Sequence, residues 1–129
     1  MYKIDKQPFG FKLTFGGAMN KEEMEHWQSE SRQQLATASA PFGVVVDMRD
    51  LKPLPDDAQA VMVNGQKLYK DAGMQRSAVI LANSIVTLQF RRLAKESGIA
   101  VWERYIDASS EPKWQEKAVD WVKSAIDPS

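Results

Sequence analysis

The sequence has no cysteine and a single histidine in 129 residues. Without cysteine the chain cannot form disulfides, use a thiolate nucleophile or bind a metal through sulfur. Because His26 is the only histidine, any metal site would need oxygen ligands, and any Ser-His-Asp site would need His26 as its base. The sequence also lacks a G-x-S-x-G turn to present a nucleophile. We therefore expect no catalytic constellation and no cofactor.

The chain also lacks net charge and long apolar runs. Seventeen basic residues balance seventeen acidic ones, so no overall field attracts nucleic acid, and we expect no nucleic-acid partner. No stretch approaches the roughly 18 continuous apolar residues of a membrane span. The N-terminal sequence MYKIDKQPFG has no apolar signal-peptide region. We therefore expect a cytoplasmic protein without a membrane span.

An alternation of strand and helix patterns fills a length that suits one domain, residues 1–129. Two N-terminal segments in which apolar and polar residues alternate predict strands joined at 7–10. A helical apolar face after Asn20 predicts a capped helix to about residue 38. The continuous β-branched runs Phe42–Val46 and Ser77–Ala82 are typical of strands buried on both faces.

Four further elements complete the predicted order. They are a helix capped by Asp56 or Asp57 that stops at 71–73, a helix from Ile85 to about Glu96 capped by Asn83 or Ser84, an edge strand containing Ile99, Val101 and Tyr105, and a helix capped by Ser109 or Ser110 that runs to Ile126. The order ββαβαβαβα predicts an α/β fold with a mostly parallel sheet of about five strands and about four helices.

Two features of this architecture are specific enough to check. We predict that Val44–Asp47 and Ser77–Ala82 are adjacent or near-adjacent parallel strands in the centre of the sheet. We also predict that Trp27, Trp114 and Trp121 are largely buried where their helices pack on the sheet.

The segment 44–58 resembles the central motif of STAS domains, the sulfate-transporter and anti-sigma-factor-antagonist fold. It has an apolar strand, an Asp, a loop with two spaced apolar residues and a helix start, with no gap in the spacing. Residues 13–17 resemble the second strand of that family with its glycine. The aromatic-rich strand followed by Ala118 and Trp121 is similar to the STAS-like, Sec14-like bacterial proteins. The resemblance covers nearly the whole chain and implies a single STAS-like domain.

The chain departs from the STAS pattern at the start of the second helix. Signalling members carry Asp-Ser-Ser-Gly, with a phosphorylatable serine, where this chain has Pro55-Asp56-Asp57-Ala58. The resemblance therefore implies a binding or regulatory module without a phosphorylation switch. Either Asp57 provides a permanent charge that a partner reads, or Asp56 and Asp57 only stabilise the helix by about 0.3–1 kcal/mol each.

The predicted third helix is apolar over more of its circumference than one core contact requires. Ile85, Val86, Leu88 and Phe90 span more than the roughly 100° stripe of a surface helix. We predict that at least two of the four border a groove or a subunit contact, where a protein partner, a second copy in a homodimer or a small apolar ligand would bind. The alternative is a short helix wedged between the sheet and a neighbouring helix.

The only basic concentration lies on and near the same helix. It consists of Arg91, Arg92 and Lys95, with Arg76 before the preceding strand. These residues are candidates for binding an anion or RNA, although no aromatic side chains that could stack on bases alternate with them. The alternative is that they only complement the negative end of the helix dipole.

Two classes of function are consistent with these observations. The first is a non-enzymatic STAS-like module that binds a protein partner or a small apolar or anionic ligand. The second is a small-molecule or nucleotide-binding enzyme that uses the acidic loop 47–57 together with residues 83–84, since open α/β sheets bind ligands beyond the carboxyl ends of their strands. The acidic loop could hold a divalent ion, although its spacing does not match an EF-hand and also suits solvated residues and helix caps.

Overall fold

A computed structural model describes residues 1–129 as a five-stranded sheet with four helices. The strands are β1 (Tyr2–Gln7), β2 (Gly10–Gly17), β3 (Phe42–Leu51), β4 (Met74–Leu81) and β5 (Glu103–Asp107). The helices are α1 (Lys21–Leu35), α2 (Asp56–Asp71), α3 (Ser84–Ser97) and α4 (Trp114–Ser124), and a short 3-10 helix spans Ala100–Trp102. The chain therefore has the predicted α/β class and the predicted order of elements.

The strands lie in the sheet in the order in which they occur in the chain. β1 and β2 form an antiparallel hairpin, and β2, β3, β4 and β5 are successive parallel neighbours. The two β-branched runs are thus adjacent parallel strands, as predicted. Because all three parallel crossovers step in the same direction, their right-handedness places α1, α2 and α3 on one face of the sheet.

Two apolar cores lie on opposite faces of the sheet. Val44 and Val46 point into the larger core beneath α1, α2 and α3. Val45 and Ala78 point into a smaller core beneath α4. Burial on both faces explains why β3 and β4 read as continuous apolar runs instead of alternating ones. None of the helices is both long and apolar enough to cross a membrane.

The Trp27 ring joins α1 to α2. The ring is stacked on Tyr69 with centroids 5.9 Å apart and meets the edge of Phe15 at 5.2 Å. A Cβ atom added at Gly65 would lie 2.1 Å from the Trp27 ring, so only glycine allows this approach in the middle of α2. The close contact between the two helices therefore depends on a residue that is unfavourable for helix formation itself.

We predict that Gly65→Ala destabilises the protein. Alanine favours a helix over glycine by about 1 kcal/mol, but here its methyl group would overlap the Trp27 ring and cost about 1–3 kcal/mol. Urea denaturation measures the difference. The neighbouring exposed Asn64→Ala is the matched control and should leave stability equal or slightly higher. A Gly65→Ala variant as stable as the Asn64→Ala variant would contradict the packing account.

Of the four predicted helix caps, those of α1 and α3 are confirmed and those of α2 and α4 are wrong. The side chains of Asn20 and Asn83 accept backbone N–H groups in the first turns of α1 and α3. The N-cap of α2 is Pro55, whose extended backbone starts the helix one residue earlier than a capping aspartate would. Asp56 and Asp57 therefore lie inside the first turn, exposed, where they act on the helix dipole and cap nothing.

The last predicted strand is wrong in its first half. Gly98 ends α3 in the left-handed region with φ of 84°, and the N–H of Ile99 bonds back to the carbonyl of Ala94. The buried Ile99 then leads into the 3-10 helix, so the strand begins only at Glu103. A helix-terminating turn that continues as a 3-10 helix occupies the residues that the pattern assigned to extended chain.

The cap predicted for the last helix is also wrong. The backbone N–H of Ser109 bonds to the Asp107 carboxylate, and the N–H of Ser110 bonds to the Asp107 carbonyl. These bonds form a turn that continues from β5, and α4 begins only at Trp114 and ends at Ser124, before Ile126. Trp27 and Trp121 are buried as predicted.

Trp114 differs from the other two tryptophans because it is only half-buried. The guanidinium of Arg49 lies 4.0 Å from the centre of its ring and covers part of it. The prediction of a largely buried Trp114 is therefore wrong, since this first residue of α4 overhangs the edge of the smaller core instead of entering it.

The apolar surface of α3 is divided between core and solvent. Val86 and Phe90 are buried in the larger core. Ile85 and Leu88 are 59% and 68% exposed, so the wide apolar pattern does leave part of its surface uncovered. Any partner of this helix would therefore meet Ile85 and Leu88, and not the other two.

We predict that two alanine substitutions on α3 separate these roles. Phe90→Ala should cost about 3–5 kcal/mol of stability because it opens a cavity in the core. Leu88→Ala should change stability by no more than about 0.5 kcal/mol because the side chain is mostly in solvent. Chemical denaturation at equal protein concentration measures both, and a large loss in Leu88→Ala would show that this side chain is covered in solution.

Candidate functional site

A cleft of about 510 Å³ opens at the carboxyl ends of β4 and β5, and we refer to it as the α3–β5 cleft. The chain leaves β4 for α3 on one face of the sheet and leaves β5 for α4 on the other. Two adjacent loops that diverge to opposite faces leave a crevice between them, and this is where open α/β sheets bind ligands. The helices that follow β2, β3 and β4 all lie on one face of the sheet, and only the helix after β5 lies on the other. β4 and β5 are therefore the only adjacent parallel strands whose following loops leave toward opposite faces.

The lining of the α3–β5 cleft combines apolar and polar side chains. The loop after β4 and the first turns of α3 form one wall, and β5 with the turn after it forms the other. The lining residues are Leu81, Ala82, Asn83, Ser84, Thr87, Leu88, Arg91, Tyr105, Ile106, Asp107 and Ser109. Of the candidate site residues predicted from sequence, the cleft therefore brings together Asn83, Ser84, Leu88 and Arg91.

Arg91 is the only cationic side chain of the cleft. Its guanidinium lies 4.5 Å from the centre of the Tyr105 ring, within the range of a cation–π contact. None of the ion pairs in the structure involves Arg91. The group is therefore held in place by an aromatic face while its charge has no protein counter-ion.

Asp107 is the only acidic side chain of the cleft. Its Oδ1 accepts hydrogen bonds from the Ser109 hydroxyl at 2.5 Å and from the Ser109 backbone N–H at 2.9 Å. These hydrogen bonds hold the pKa of Asp107 below its ordinary value, so the carboxylate remains charged at neutral pH. The cleft thus contains one fixed positive and one fixed negative charge.

The carboxyl group of Glu103 is buried and lies next to the Tyr105 hydroxyl. Glu103 Oε1 accepts the Ser77 hydroxyl at 2.9 Å, and Oε2 lies 2.5 Å from the Tyr105 hydroxyl oxygen. Burial raises the pKa of Glu103 from 4.5 to about 7, against the opposing effect of the hydrogen bonds from Tyr105 and Ser77. Burial and the neighbouring Glu103 charge also raise the pKa of Tyr105.

Only one protonation state of Glu103 satisfies both contacts of the Tyr105 hydroxyl. The Tyr105 hydroxyl has one proton, but its oxygen lies within reach of two acceptors, Glu103 Oε2 and the Phe90 carbonyl at 3.2 Å. If Glu103 is protonated, it donates to Tyr105 while Tyr105 donates to Phe90, and both contacts are hydrogen bonds. If Glu103 is ionised, Tyr105 can satisfy only one of the two acceptors.

A second, largely enclosed cavity of about 30 Å³ lies inside the larger core. Its lining is apolar except for Gln66, Ser77, Tyr69 and Glu103. Since a single water needs about 10–15 Å³ of such volume, the cavity has room for a water molecule or two and not for an organic ligand. The candidate binding site is therefore the α3–β5 cleft.

The other basic residues predicted from sequence lie elsewhere. Arg92 forms an ion pair with Glu96 at 3.0 Å and hydrogen-bonds to Gln59 on α2. Lys95 is exposed one turn beyond Arg91 and does not line the cleft. Arg76 donates to the Val122 carbonyl at the end of α4. The basic concentration in the sequence is thus dispersed in the structure.

The acidic loop after β3 does not form a site with residues 83–84. Asp47 is bound to Arg49 by two side-chain hydrogen bonds of 3.0 Å, and Asp56 and Asp57 do not line the cleft. No group of three or more His, Cys, Asp or Glu side chains is placed to hold a metal ion. His26, the only histidine, is exposed on α1.

The sequence analysis does not identify Glu103, Tyr105 or Asp107 as functional residues. A usable signal existed for Asp107, because a charged residue at the carboxyl end of a parallel strand lies where such sheets bind ligands. The burial of Glu103 had no such signal, since it depends on where β5 begins.

No family model matches the chain, and no curated protein matches it significantly. The chemistry of the cleft is therefore the basis for a functional proposal.

We predict that Glu103 makes the stability of the protein depend on pH. The folded state retains its proton up to about pH 7, whereas the unfolded chain releases it near 4.5, so the free energy of unfolding should fall by about 3 kcal/mol between these values. Glu103→Gln should lose this decrease, while the exposed Glu25→Gln should retain it. Urea denaturation from pH 4.5 to 8 measures the three slopes, and equal slopes in all three proteins would show that Glu103 titrates normally.

Proposed function

We propose that this chain is a non-enzymatic, STAS-like binding module whose α3–β5 cleft binds a small organic anion with an apolar part. The observation that carries the proposal is the guanidinium of Arg91, which faces the cleft without a protein counter-ion and is held against the Tyr105 ring. A fixed guanidinium presents paired N–H donors that match a carboxylate, sulfonate or phosphate group.

The remaining lining of the cleft suits such a ligand. Leu88 offers exposed apolar surface one turn from Arg91, and Thr87 lies on the same wall. The volume of about 510 Å³ falls within the range of about 300–1,000 Å³ that small-molecule pockets have. An anion on Arg91 with its apolar part against Leu88 would use both features.

Asp107 restricts the ligands that the cleft can accept. A negative charge on the same lining disfavours ligands with several negative charges, such as nucleotide di- and triphosphates. It favours a ligand that carries a hydroxyl or amino donor in addition to one anionic group. The proposed class is therefore a small monoanion, such as a hydroxy acid or an amino acid.

The absence of a nucleophile–base pair in the cleft supports binding over catalysis. The hydroxyl groups in the cleft belong to Ser84, Thr87, Tyr105 and Ser109, and the only acidic group, Asp107, is occupied by Ser109. His26 lies on α1, which contributes nothing to the cleft. The acidic loop of the alternative enzyme hypothesis also lies outside it.

The order of elements ββαβαβαβα supports the STAS-like part of the proposal. Asp56 and Asp57, which stand where signalling members carry their Ser-Ser, are exposed at the start of α2 and do not line the cleft. The proposed ligand site is thus separate from the position at which that family is phosphorylated.

We predict that benzenesulfonate, which has one permanent negative charge and an apolar ring, binds in the cleft. Binding followed by amide NMR shifts should move residues 83–91 and 105–109. Arg91→Gln should weaken binding by about tenfold or more, because it removes the only cation of the cleft. Asp107→Asn should strengthen binding, because it removes a like charge and keeps the Oδ1 acceptor for Ser109.

Lys95→Gln is the matched control because it makes the same change in net charge on the same exposed face of α3. It should leave the affinity unchanged. If Lys95→Gln weakens binding as much as Arg91→Gln does, the anion is attracted by general surface charge. If Asp107→Asn weakens binding, the cleft prefers a cation. Either result would overturn the proposal.

A further inference from the structure

We propose that the α3–β5 cleft is a proton-regulated site, in which protonation of the buried Glu103 carboxyl strengthens anion binding at Arg91. This inference rests on the proposed function and assigns a regulatory role to a residue that does not touch the ligand. Three observations support it. Tyr105 contacts both Arg91 in the cleft and the Glu103 carboxyl, Glu103 has no counter-ion, and the Tyr105 hydroxyl can form two different sets of hydrogen bonds.

Tyr105 is the structural link between the cleft and Glu103. Its ring lines the cleft and lies against the Arg91 guanidinium, while its hydroxyl oxygen lies 2.5 Å from the Glu103 carboxyl. A single aromatic side chain thus separates the proposed anion site from the buried acid. The effect of a charge on Glu103 upon Arg91 is weakly screened, because the Tyr105 side chain and not water lies between the two groups.

The ionised form of Glu103 would have no cation beside it. From β4 the carboxyl meets the Ser77 hydroxyl, from β5 the Tyr105 hydroxyl, and from α2 the Gln66 amide lines the same small cavity. The adjacent Arg104 is engaged by Asp127 in an ion pair of 2.9 Å. From α3, Arg91 lies against the face of the Tyr105 ring, whereas Glu103 lies at its hydroxyl.

Ionisation of Glu103 would therefore act on Arg91 in two ways. The new negative charge would compensate the positive charge of Arg91 and repel an anion bound there. The Tyr105 hydroxyl would also turn to the carboxylate and release the Phe90 carbonyl, which belongs to the turn of α3 that carries Arg91. The repulsion by the new charge disfavours the anion complex, and by linkage a bound anion favours the protonated acid.

The pH range of this regulation is close to neutrality. Burial raises the pKa of Glu103 to about 7, so the free protein changes charge between about pH 6 and 8. Anion affinity should be highest below this range, where Glu103 is protonated, and lowest above it.

The test measures the affinity of benzenesulfonate from pH 5.5 to 8.5 at constant ionic strength. This probe stays fully ionised over the whole range, so any change belongs to the protein. We expect binding to be about fivefold weaker at pH 8.5 than at pH 5.5. Glu103→Gln should bind tightly at all pH values, because its side chain is permanently neutral. His26→Gln should keep the pH dependence, which excludes the only histidine as its source.

Two further measurements test the inference even if the Glu103→Gln variant does not fold. Tyr105→Phe keeps the ring beneath Arg91 but removes a hydrogen bond that favours ionised Glu103, so the midpoint of the pH profile should move to higher pH. In the unaltered protein, carbon-13 NMR of the Glu103 carboxyl should show a higher pKa when benzenesulfonate saturates the cleft.

The outcomes separate this inference from the proposed function. Binding that depends on Arg91 but is constant with pH would overturn the regulation and leave the anion site intact. The same holds for a Glu103 carboxyl that titrates identically with and without the probe. If benzenesulfonate does not bind at any pH, or binds independently of Arg91, the proposed function is wrong and the regulation is wrong with it.

Discussion

Burial of β3 and β4 on both faces determines where all four helices must pack. One face must be covered by α1, α2 and α3 and the other by α4, and both layers meet at Ser77. Its carbonyl accepts the indole N–H of Trp121 from α4 at 3.0 Å, while its hydroxyl donates to Glu103 in the larger core. The same requirement sends the chain to opposite faces after β4 and after β5, so the packing that stabilises the sheet also opens the cleft.

The buried Glu103 carboxyl shows how a polar group can be retained in an apolar core at modest cost. Two hydroxyl groups, those of Ser77 and Tyr105, hydrogen-bond to it without carrying a charge, so the neutral acid loses little by leaving water. A charged acid in the same position would lose its solvation without gaining a counter-ion. The packing therefore favours the neutral acid over the ionised one, and this difference makes the protonation of Glu103 sensitive to its surroundings.

The sequence predicts most of the fold and little of the site, for identifiable reasons. β3 and β4 can be predicted because burial on both faces requires uninterrupted runs rich in β-branched residues. The caps Asn20 and Asn83 can be predicted because a cap acts through hydrogen bonds to residues nearby in the sequence. The first residue of β5 cannot be predicted from the sequence, because it depends on the burial of Ile99 and on a 3-10 helix that only tertiary packing selects. Leu88 and Arg91 are recognisable on their helix, but their meeting with Tyr105 and Asp107 depends on the parallel pairing of β4 with β5.

The strand order of the sheet also has a consequence for how the chain can fold. Because every strand pairs with its neighbour in sequence, the sheet can grow from β1 by addition of one unit at a time, and each parallel step closes a crossover of 21 to 24 residues. α4 does not take part in this stepwise growth, because it covers residues of three strands that are already paired, among them Val45, Ala78 and Ile106. During synthesis this apolar face must remain open until α4 has left the ribosome, which makes the docking of α4 the step before which a partly folded chain is most exposed to aggregation.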